Sequence, residues 1–255
     1  MDRTVRLYEE LSMNAHPSLH TVLYDGWILR FSNGYTSRAN SVNMLCKPDV
    51  PDVIEKITQC EKRYSAQNLP TIFKITPVND VLDEALGARG YSVVTPSVLM
   101  TAAIPGIASH SKNIIVQAGI STFWQEQYFR LSQTPDSAVP AARRMQNSIL
   151  NRVLCAACFV DGIAVAYGLC VIERDFAGLY DIIVDPRYRR MGYGRDLCKT
   201  LLHSAAECGA KGAYLQVVAD NTAAMRLYGE LGFSACYRYW YRVKPLQNGI
   251  SGPAL

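Results

Sequence analysis

The stretch LYDIIVDPRYRRMGYGRDLCKTLLHSAA, residues 179–206, predicts a strand, a turn and a helix in direct succession. Apolar and β-branched residues predict the strand over 180–184, and Pro186 ends it because proline cannot donate to a strand ladder. Beyond Gly194, leucines and alanines recur at helical spacing, so the helix is predicted to begin at the glycines. The rest of the chain is interpreted around these three elements.

The turn, RRMGYG at 189–194, predicts a site for an anion. Two glycines let the backbone turn its N–H groups outward, and the start of a helix adds about half a positive charge. Phosphate is the usual anion at such a helix start. Basic residues concentrate around the turn, partly offset by Asp185 and Asp196; they are Arg187, Arg189, Arg190, Arg195 and Lys199.

Two common nucleotide-binding motifs do not match this turn. A P-loop needs Lys and then Ser or Thr after its second glycine, where this chain has Arg195 and Asp196. A dinucleotide-binding fingerprint needs a third small residue where Leu197 stands. The pattern that remains, Arg-x-x-Gly-x-Gly after a strand, resembles the pyrophosphate loop of the GCN5-related N-acetyltransferases (GNAT), which cradles the diphosphate of acetyl-coenzyme A (acetyl-CoA).

A second motif follows in the order that this family has. After a predicted strand over 214–218, Asn221 caps a predicted helix and begins the spacing N-x-x-A-x-x-x-Y-x-x-x-G-F. This resembles the later GNAT motif, in which the asparagine and the tyrosine face the coenzyme. The resemblance implies acetyl-CoA as cosubstrate and no metal, with the coenzyme bound by Ile183, Val184, Arg189, Arg190, Met191, Gly192, Tyr193, Gly194, Arg195, Asn221 and Tyr228. An ordinary βαβα unit with a glycine turn is the alternative interpretation.

Composition narrows the class of protein. The 255 residues are 49% hydrophobic, enough to bury a core in one large domain or in two of ordinary size. No apolar run approaches membrane-spanning length and the N-terminus lacks the apolar region of a signal peptide, so we expect a cytoplasmic protein with no membrane partner. The net charge of +4 is mild, and no nucleic-acid partner is expected.

Cysteine usage points to a reducing compartment. Eight cysteines without a signal peptide indicate free thiols rather than a disulfide framework. Cys155 and Cys158 lie in a predicted strand, where residues three apart point to opposite faces. We expect them to be buried core residues, because no second pair or nearby histidine completes a metal site.

The chain contains a long-period internal repeat. Residues 73–91 align without a gap with 215–233, and Asn79 then falls at the position of the motif asparagine. The sequence therefore predicts an α/β (α+β) protein of two tandem GNAT-like units, each a mixed β-sheet flanked by helices. We place a degenerate N-terminal domain at 1–104 and the catalytic domain at 112–245. Chance similarity between short amphipathic elements is the alternative.

The two copies differ where the chemistry would need them to agree. In the first copy the Arg/Gly turn is replaced by KPDVPD at 47–52, which carries acidic charge and offers no run of free N–H groups. Leu86 stands where the second copy has Tyr228. The N-terminal unit is therefore not expected to bind coenzyme A, and we expect it to shape or cover the substrate pocket.

A polar run, Arg-Ala-Asn-Ser, lies on what the repeat predicts to be a central strand over 38–44. Buried polar groups need partners, so Asn40 and Ser41 either satisfy the junction between the units or point into the substrate pocket. The wider pattern Gly-x-Thr-x-Arg-Ala-Asn-Ser-Val at 34–42 resembles a subgroup of two-part bacterial acetyltransferases.

The predicted reaction is transfer of the acetyl group of acetyl-CoA to a primary amine of a small-molecule acceptor. We expect direct attack in a ternary complex, because no Cys or Ser is placed as a relay nucleophile. In the family the strand before the turn splays from its neighbour and receives the thioester, here at Ile183 and Val184. Tyr228 matches the family tyrosine that protonates the thiolate, the alternative being a hydrogen bond to the coenzyme alone. Asp181 is the predicted general base, with Glu173 and a water chain as alternatives.

The acceptor site is the least defined part of the prediction. In the family the first helices of the catalytic unit overhang the acceptor, which makes Trp124, with Phe123 and Tyr128, a candidate to line it. Aromatic residues on a helix face are more often core. Two other functions stay open, a catalytically weak acyl-CoA-binding sensor and an acetyltransferase of protein N-termini or lysines. A monomer or a homodimer is expected.

Overall fold

The computed structural model describes residues 2–44, 53–104 and 113–246. The helices in these ranges are α1 (Arg3–Ala15), α2 (Val53–Ser65), α3 (Asp80–Ala88), α4 (Thr122–Leu131), α5 (Val139–Asn147), α6 (Tyr193–Glu207) and α7 (Thr222–Glu230). The strands are β1 (His20–Tyr24), β2 (Trp27–Phe31), β3 (Val42–Met44), β4 (Thr71–Ile75), β5 (Ser92–Ala103), β6 (Ile114–Ala118), β7 (Arg152–Val160), β8 (Ile163–Glu173), β9 (Phe176–Val184), β10 (Gly212–Val218) and β11 (Ser234–Lys244). No helix in these ranges is long and apolar enough to cross a membrane. The predicted α/β class with mixed sheets is confirmed.

The chain folds as two compact units. Unit 1 comprises residues 1–98, 218–220 and 237–255, and unit 2 comprises residues 99–217 and 221–236. β5 therefore begins in unit 1 and ends in unit 2, whereas β11 begins in unit 2 and ends in unit 1. The division into domains at 1–104 and 112–245 stays a prediction, and the junction expected between them lies outside the described residues.

In unit 1 the strands lie in the order β1-β2-β3-β4-β11-β5. β1 and β2 form an antiparallel hairpin that turns at Asp25 and Gly26, both with positive φ, as the Asp-Gly pair predicts. β3 runs parallel to β4, and β11 runs antiparallel to it. One face of this sheet carries the apolar core, in which the Trp27 and Phe73 rings meet edge to face with centroids 5.8 Å apart. Each such fully buried side chain contributes about 1.5–3 kcal/mol.

The strand predicted over 38–44 is shorter in the structure. Ser37–Ala39 forms a 3₁₀ turn, and β3 begins only at Val42. The cause is Asn40, whose buried side chain makes four hydrogen bonds of 2.7–3.0 Å to the backbone of Ser32, Gly34, Tyr35 and Thr36. Short polar side chains compete with the strand ladder in this way. The Lys-Pro-Asp segment at 47–52 lies outside the described residues.

In unit 2 the strands lie in the order β5-β10-β9-β8-β7-β6. β6 to β9 are successively antiparallel, while β9 and β10 are parallel. α6 begins at Tyr193, between Gly192 and Gly194 as predicted, and buries Leu197, Leu201 and Ala205 completely. Spacing of three and four residues puts these side chains on the helix face that packs on the sheet. The sheet and α6 together hold the predicted turn in place.

Candidate functional site

β9 and β10 separate before either strand ends. Their parallel pairing stops at Leu179 opposite Leu215, although β9 continues to Val184 and β10 to Val218. Among the described residues, the edge of β9 that faces away from β8 therefore has no strand partner over its last residues. Backbone groups there are available to a bound molecule. This is the splayed strand that the family resemblance implies.

A β-bulge lies in the part of β9 that is paired with β8 but no longer with β10. Tyr167 is opposite Ile183 and Leu169 is opposite Tyr180, so two steps along β8 span three along β9. The extra residue is at Asp181, whose φ of 54° is in the left-handed region. A bulge re-aims a side chain out of the regular alternation, and bulges are common beside active sites.

The Asp181 carboxylate is held by a chain of amide side chains. Gln146 Nε2 donates to Asp181 Oδ2 at 2.9 Å, and Gln125 Nε2 donates to Gln146 Oε1 at 3.0 Å. Arg143 Nη1 donates in turn to Gln125 Oε1 at 3.1 Å. Gln125 is only 1% exposed, so this chain crosses the interior from α4 to α5 to β9. The sequence analysis missed both glutamines; the signal was a polar residue on the buried face of each helix.

Asp185 and Arg187 stabilise the entry to the turn. The Asp185 carboxylate accepts from the Arg187 backbone N–H, from Nε and from Nη2, at 2.8–3.1 Å. These hydrogen bonds hold the pKa of Asp185 at about 2, below its usual range. Arg187 is thereby paired, and Arg195 Nε lies 3.6 Å from Asp196 Oδ1. Within the described residues, Arg189 and Arg190 are the arginines of the turn for which no carboxylate partner is found.

The turn presents a row of backbone donors. Arg190 and Gly192 both have positive φ, 65° and 90°, and Gly192 is the residue before α6. The first hydrogen bond of the helix runs from Asp196 N to Gly192 O at 3.0 Å. In the described part of the chain, the N–H groups of Tyr193, Gly194 and Arg195 donate to no backbone carbonyl. The helix dipole adds positive potential at the same point.

Gly194 lets the start of α6 approach β9. A Cβ at Gly194 would lie 3.3 Å from Val184 Cγ2 and 3.7 Å from Leu227 Cδ1. Arg189 Nε also donates to Val184 O at 3.2 Å, which ties the turn to the end of the strand. Met191, 63% exposed, extends from the turn into solvent. The structure thus brings the turn residues together with Val184.

α7 packs against α6 and brings Tyr228 close to Cys198 of that helix. Leu227, the neighbour of Tyr228, contacts the start of α6 as described above. Burial raises the pKa of the Tyr228 hydroxyl, and the structure shows no hydrogen bond to it within the described ranges. Asn221 is exposed, and its Oδ1 accepts from Ala224 N at 3.1 Å and so caps α7, as the sequence predicts.

The other candidates are not brought to this turn. Glu173 pairs with Phe176 at the far end of β9, five residues from the bulge, or about 16 Å at 3.3 Å per residue. Trp124 is 2% exposed and donates from Nε1 to Ala156 O at 3.0 Å, as a core residue does. Asn40 and Ser41 are buried within unit 1, and Ser41 O accepts from Arg30 N and Asn43 Nδ2. The substrate-binding roles of Asn40, Ser41 and Trp124 stay predictions.

Cysteines and metal ligands play no visible part in this arrangement. Seven cysteines of the described residues are free thiols, and burial raises the pKa of Cys155 and Cys170 far above the usual range. Across 2–44, 53–104 and 113–246, no group of three or more His, Cys, Asp or Glu side chains could hold a metal ion.

Known proteins are similar to this chain in sequence or in fold. The family model described as "Probable histone acetyltransferase Rv0428c C-terminal" matches residues 3–242. The "uncharacterized N-acetyltransferase YobR" of Bacillus subtilis (strain 168) is 27% identical over 250 residues, which are 94% of this chain and 98% of the relative. A GCN5-related N-acetyltransferase from Kribbella flavida superposes with a TM-score of 0.73 at 16% identity and covers 96% of both chains. A tandem GNAT protein from the clavulanic acid biosynthesis pathway has a TM-score of 0.66 at 10% identity, covering 92% of this chain and 86% of its own.

Proposed function

Because this chain belongs to the family described as probable histone acetyltransferase Rv0428c C-terminal and is a GNAT-type N-acetyltransferase, we propose that it acetylates a primary amine of a small-molecule acceptor. Acetyl-CoA is the proposed donor, and the amine attacks the thioester directly in a ternary complex. The observation that carries the proposal is the meeting of an unpaired strand edge, the end of β9, with a row of free N–H groups, the start of α6.

The turn fits a diphosphate. Gly192 adopts a conformation that side chains disfavour, and a Cβ at Gly194 would press against Val184. The N–H groups of 193–195 would hold the diphosphate oxygens, and Arg189 and Arg190 would add charge-assisted contacts. The free edge of β9 at Ile183 and Val184 would hold the pantetheine arm. A backbone donor aimed at the thioester oxygen is worth about 3 kcal/mol in the transition state.

Proton transfer is assigned to two side chains. Asp181, directed by the bulge and held by Gln146, accepts the proton of the attacking amine, either directly or through one water. Tyr228, whose raised pKa keeps its hydroxyl protonated at neutral pH, donates to the departing thiolate. Both assignments stay proposals.

The corresponding positions of unit 1 support a single catalytic unit. Leu86, at the repeat position of Tyr228, is completely buried in the apolar core of unit 1 and offers no hydroxyl. Asn79, at the repeat position of Asn221, makes no side-chain cap bond to α3. We propose that unit 1 is a degenerate copy that does not bind coenzyme A.

The test begins with calorimetric titration of the whole chain with acetyl-CoA. We expect the Arg189→Gln/Arg190→Gln variant to lose most of the affinity. Arg226→Gln, which removes an exposed arginine paired with Glu230 on α7, is the matched control and should bind as the wild type does. Undiminished binding by the double variant would contradict the site, and no binding by the wild type would contradict the function.

A protein acceptor is the second candidate function. The family is described as a probable histone acetyltransferase, whereas the tandem neighbour comes from a small-molecule biosynthesis pathway, an argument from fold alone. Thiol release from acetyl-CoA, measured across free amines, lysine peptides and peptide N-termini, separates the two. A kcat/KM that is higher for the peptides than for every free amine would decide for the protein acceptor.

A further inference from the structure

A buried amide lies at the centre of the side-chain network that ends at Asp181. Gln125 of α4 is 1% exposed, so its amide is shielded from water. Its Oε1 accepts from Arg143 Nη1 at 3.1 Å, and its Nε2 donates to Gln146 Oε1 and to Asn147 Oδ1, at 3.0 Å each. A glutamine amide has two N–H donors, so these two bonds use both of them. Gln125 is therefore held in one orientation by its partners.

The hydrogen bonds of this network all run in the same direction. The guanidinium of Arg143 has only donors, so it requires the amide oxygen of Gln125 to face it. The N–H₂ of Gln125 then faces Gln146, whose own oxygen accepts from it. The N–H₂ of Gln146 is left for Asp181 Oδ2, to which it donates at 2.9 Å. Through Gln125, Arg143 thus determines which end of the Gln146 amide faces Asp181.

The reverse direction of the network fits neither of its ends. With both amides turned over, the N–H₂ of Gln125 would meet the N–H groups of Arg143, and the oxygen of Gln146 would meet the Asp181 carboxylate. The second contact becomes a hydrogen bond only when Asp181 is protonated, because a carboxylic acid O–H can donate. The direction of the amides and the protonation of Asp181 are therefore coupled, and a donor cation at the far end favours the ionised carboxylate.

Packing between α4 and α5 holds Arg143 in place. The residue is half-buried, and its guanidinium carbon lies 5.7 Å from the centre of the Phe129 ring of α4. A cation over the face of an aromatic ring is stabilised by that ring. Arg144, the next residue of α5, is exposed. Of these two arginines, Arg143 is therefore the one fixed against the buried amide.

The other titratable groups around Asp181 are neutral or reach solvent. At the level of the bulge β8 contributes Tyr167 and β7 contributes Cys155, and burial raises the pKa of both side chains, so both are neutral at neutral pH. The hydroxyls of Tyr180 on β9 and Tyr214 on β10 bond to each other at 3.3 Å. The remaining charged residues of α4, α5 and the first two turns of α6 all reach solvent, which screens their charge; they are Glu126, Arg130, Arg144, Arg195, Asp196 and Lys199.

We propose that Arg143 is a positioning residue for acetyl transfer, which directs the two glutamines so that Gln146 presents its N–H₂ to Asp181. The inference rests on the proposed function, in which Asp181 receives the proton of the attacking amine. The ionised carboxylate is the form that can accept this proton, and a donor to that form keeps it ionised to lower pH. Arg143 acts through Gln125, so a break in the network at Gln125 removes its influence.

The test follows the ¹³C chemical shift of the Asp181 carboxyl against pH in the full chain, without acetyl-CoA or acceptor. Arg143→Met keeps an apolar side chain beside Phe129 and removes the donors, so we expect the midpoint to move upward. Gln125→Met, which cuts the network, should move it upward as well. The double variant should move it no further than Gln125→Met alone, because Arg143 acts through Gln125. Either single variant carries the test if the other does not fold.

Two controls separate the direction of the network from the charge of Arg143. Arg144→Met makes the same change of charge at the next, exposed residue of α5 and should titrate as the wild type does. Arg143→Lys keeps a cationic donor and should return the midpoint toward that of the wild type.

The outcomes distinguish this inference from the proposed function. An unchanged midpoint in Arg143→Met, equal shifts in Arg143→Met and Arg144→Met, or additive shifts in the double variant would each overturn the role of Arg143, since additivity means that its charge acts on Asp181 directly. None of these titrations depends on catalysis, so a failure to bind acetyl-CoA contradicts the proposed function alone. In the active enzyme, the acidic limb of kcat/KM against pH should move upward in Arg143→Met. A loss of kcat/KM that is equal at every pH would make Arg143 a structural residue only.

Discussion

Gln146 on α5 donates a 2.9 Å hydrogen bond to the carboxylate of Asp181 at the bulge of β9. The bond joins two elements that are 35 residues apart in the sequence. Because the amide N–H₂ of Gln146 can only donate, it favours the ionised carboxylate that a general base requires.

Gln146→Leu should raise the pH at which Asp181 titrates. Removing a donor to the charged form favours the protonated form, so the titration moves upward. The measurement is the ¹³C chemical shift of the carboxyl against pH, assigned with Asp181→Asn. Cys155 of β7 also interacts electrostatically with Asp181, and this residue is the same in the wild type and in Gln146→Leu.

The control for this prediction is Gln127→Leu, the same substitution at a residue of α4 that bonds Arg130 instead. It should leave the Asp181 titration where it is. If Asp181 titrates at the same midpoint in Gln146→Leu as in the wild type, Gln146 is not a positioning residue for this carboxylate.

Gly194→Ala should weaken acetyl-CoA binding while leaving the fold intact. The new Cβ would stand 3.3 Å from Val184 Cγ2, so α6 has to move by a few tenths of an ångström from β9. Gly229→Ala on α7 is the matched control, because a Cβ there meets nothing within 4 Å and alanine stabilises a helix by about 0.5–1 kcal/mol. Calorimetry measures the acetyl-CoA affinity of each variant, and urea unfolding measures its stability. Equal acetyl-CoA affinity in Gly194→Ala and Gly229→Ala would show that the close approach of α6 to β9 is not needed for binding.

Tyr228→Phe should lower kcat about 10²-fold with little change in the acetyl-CoA dissociation constant. Burial raises the pKa of this hydroxyl above its ordinary value of about 10, so it stays protonated, and able to donate, at every lower pH. No loss of wild-type kcat from its ionisation is therefore expected below about pH 10. If Tyr228→Phe keeps the wild-type kcat, Tyr228 does not donate the proton, and its role is limited to a hydrogen bond with the coenzyme.

Glu9→Gln should destabilise the protein by about 3–5 kcal/mol. The substitution leaves Lys74, 5% exposed, without its counter-charge, and an uncompensated buried charge is far more costly than the loss of one contact. Glu9→Leu/Lys74→Met, which removes both charges, should lose less stability than the sum of the losses in Glu9→Leu and Lys74→Met. Urea denaturation of the wild type, Glu9→Leu, Lys74→Met and the double variant measures the coupling, and additive losses would contradict it.

The turn and the helix after it were predictable because their information is local. Glycine at positions of positive φ, a proline after a β-branched run and leucines at helical spacing each act within a few residues. For the same reason Asn221 could be recognised as the cap of α7. The splay of β9 from β10 came from the family resemblance rather than from any residue of either strand.

The bulge and the amide chain could not be predicted from the sequence. Residues 180–184 alternate no differently from a regular strand, and the extra residue at Asp181 appears only when β8 supplies the register. Gln125 and Gln146 acquire a role only when α4, α5 and β9 are packed together. Asn40 turned a predicted strand into a 3₁₀ turn because its side chain reaches backward to four backbone groups, a preference that averaged strand propensities do not contain.

The assignment of the end of β11 to unit 1 has a consequence for the synthesis of the chain. In unit 1 this strand lies between β4 and β5, both of which are made much earlier. Residues 99–236, which are about 140 residues, leave the ribosome in between, and at about 5–20 residues per second this takes roughly 7–28 s. During that interval unit 1 lacks the strand that separates β4 from β5, and with it Tyr237, Tyr239 and Tyr241. The N-terminal part of this protein therefore cannot complete its fold before the C-terminal part has been translated.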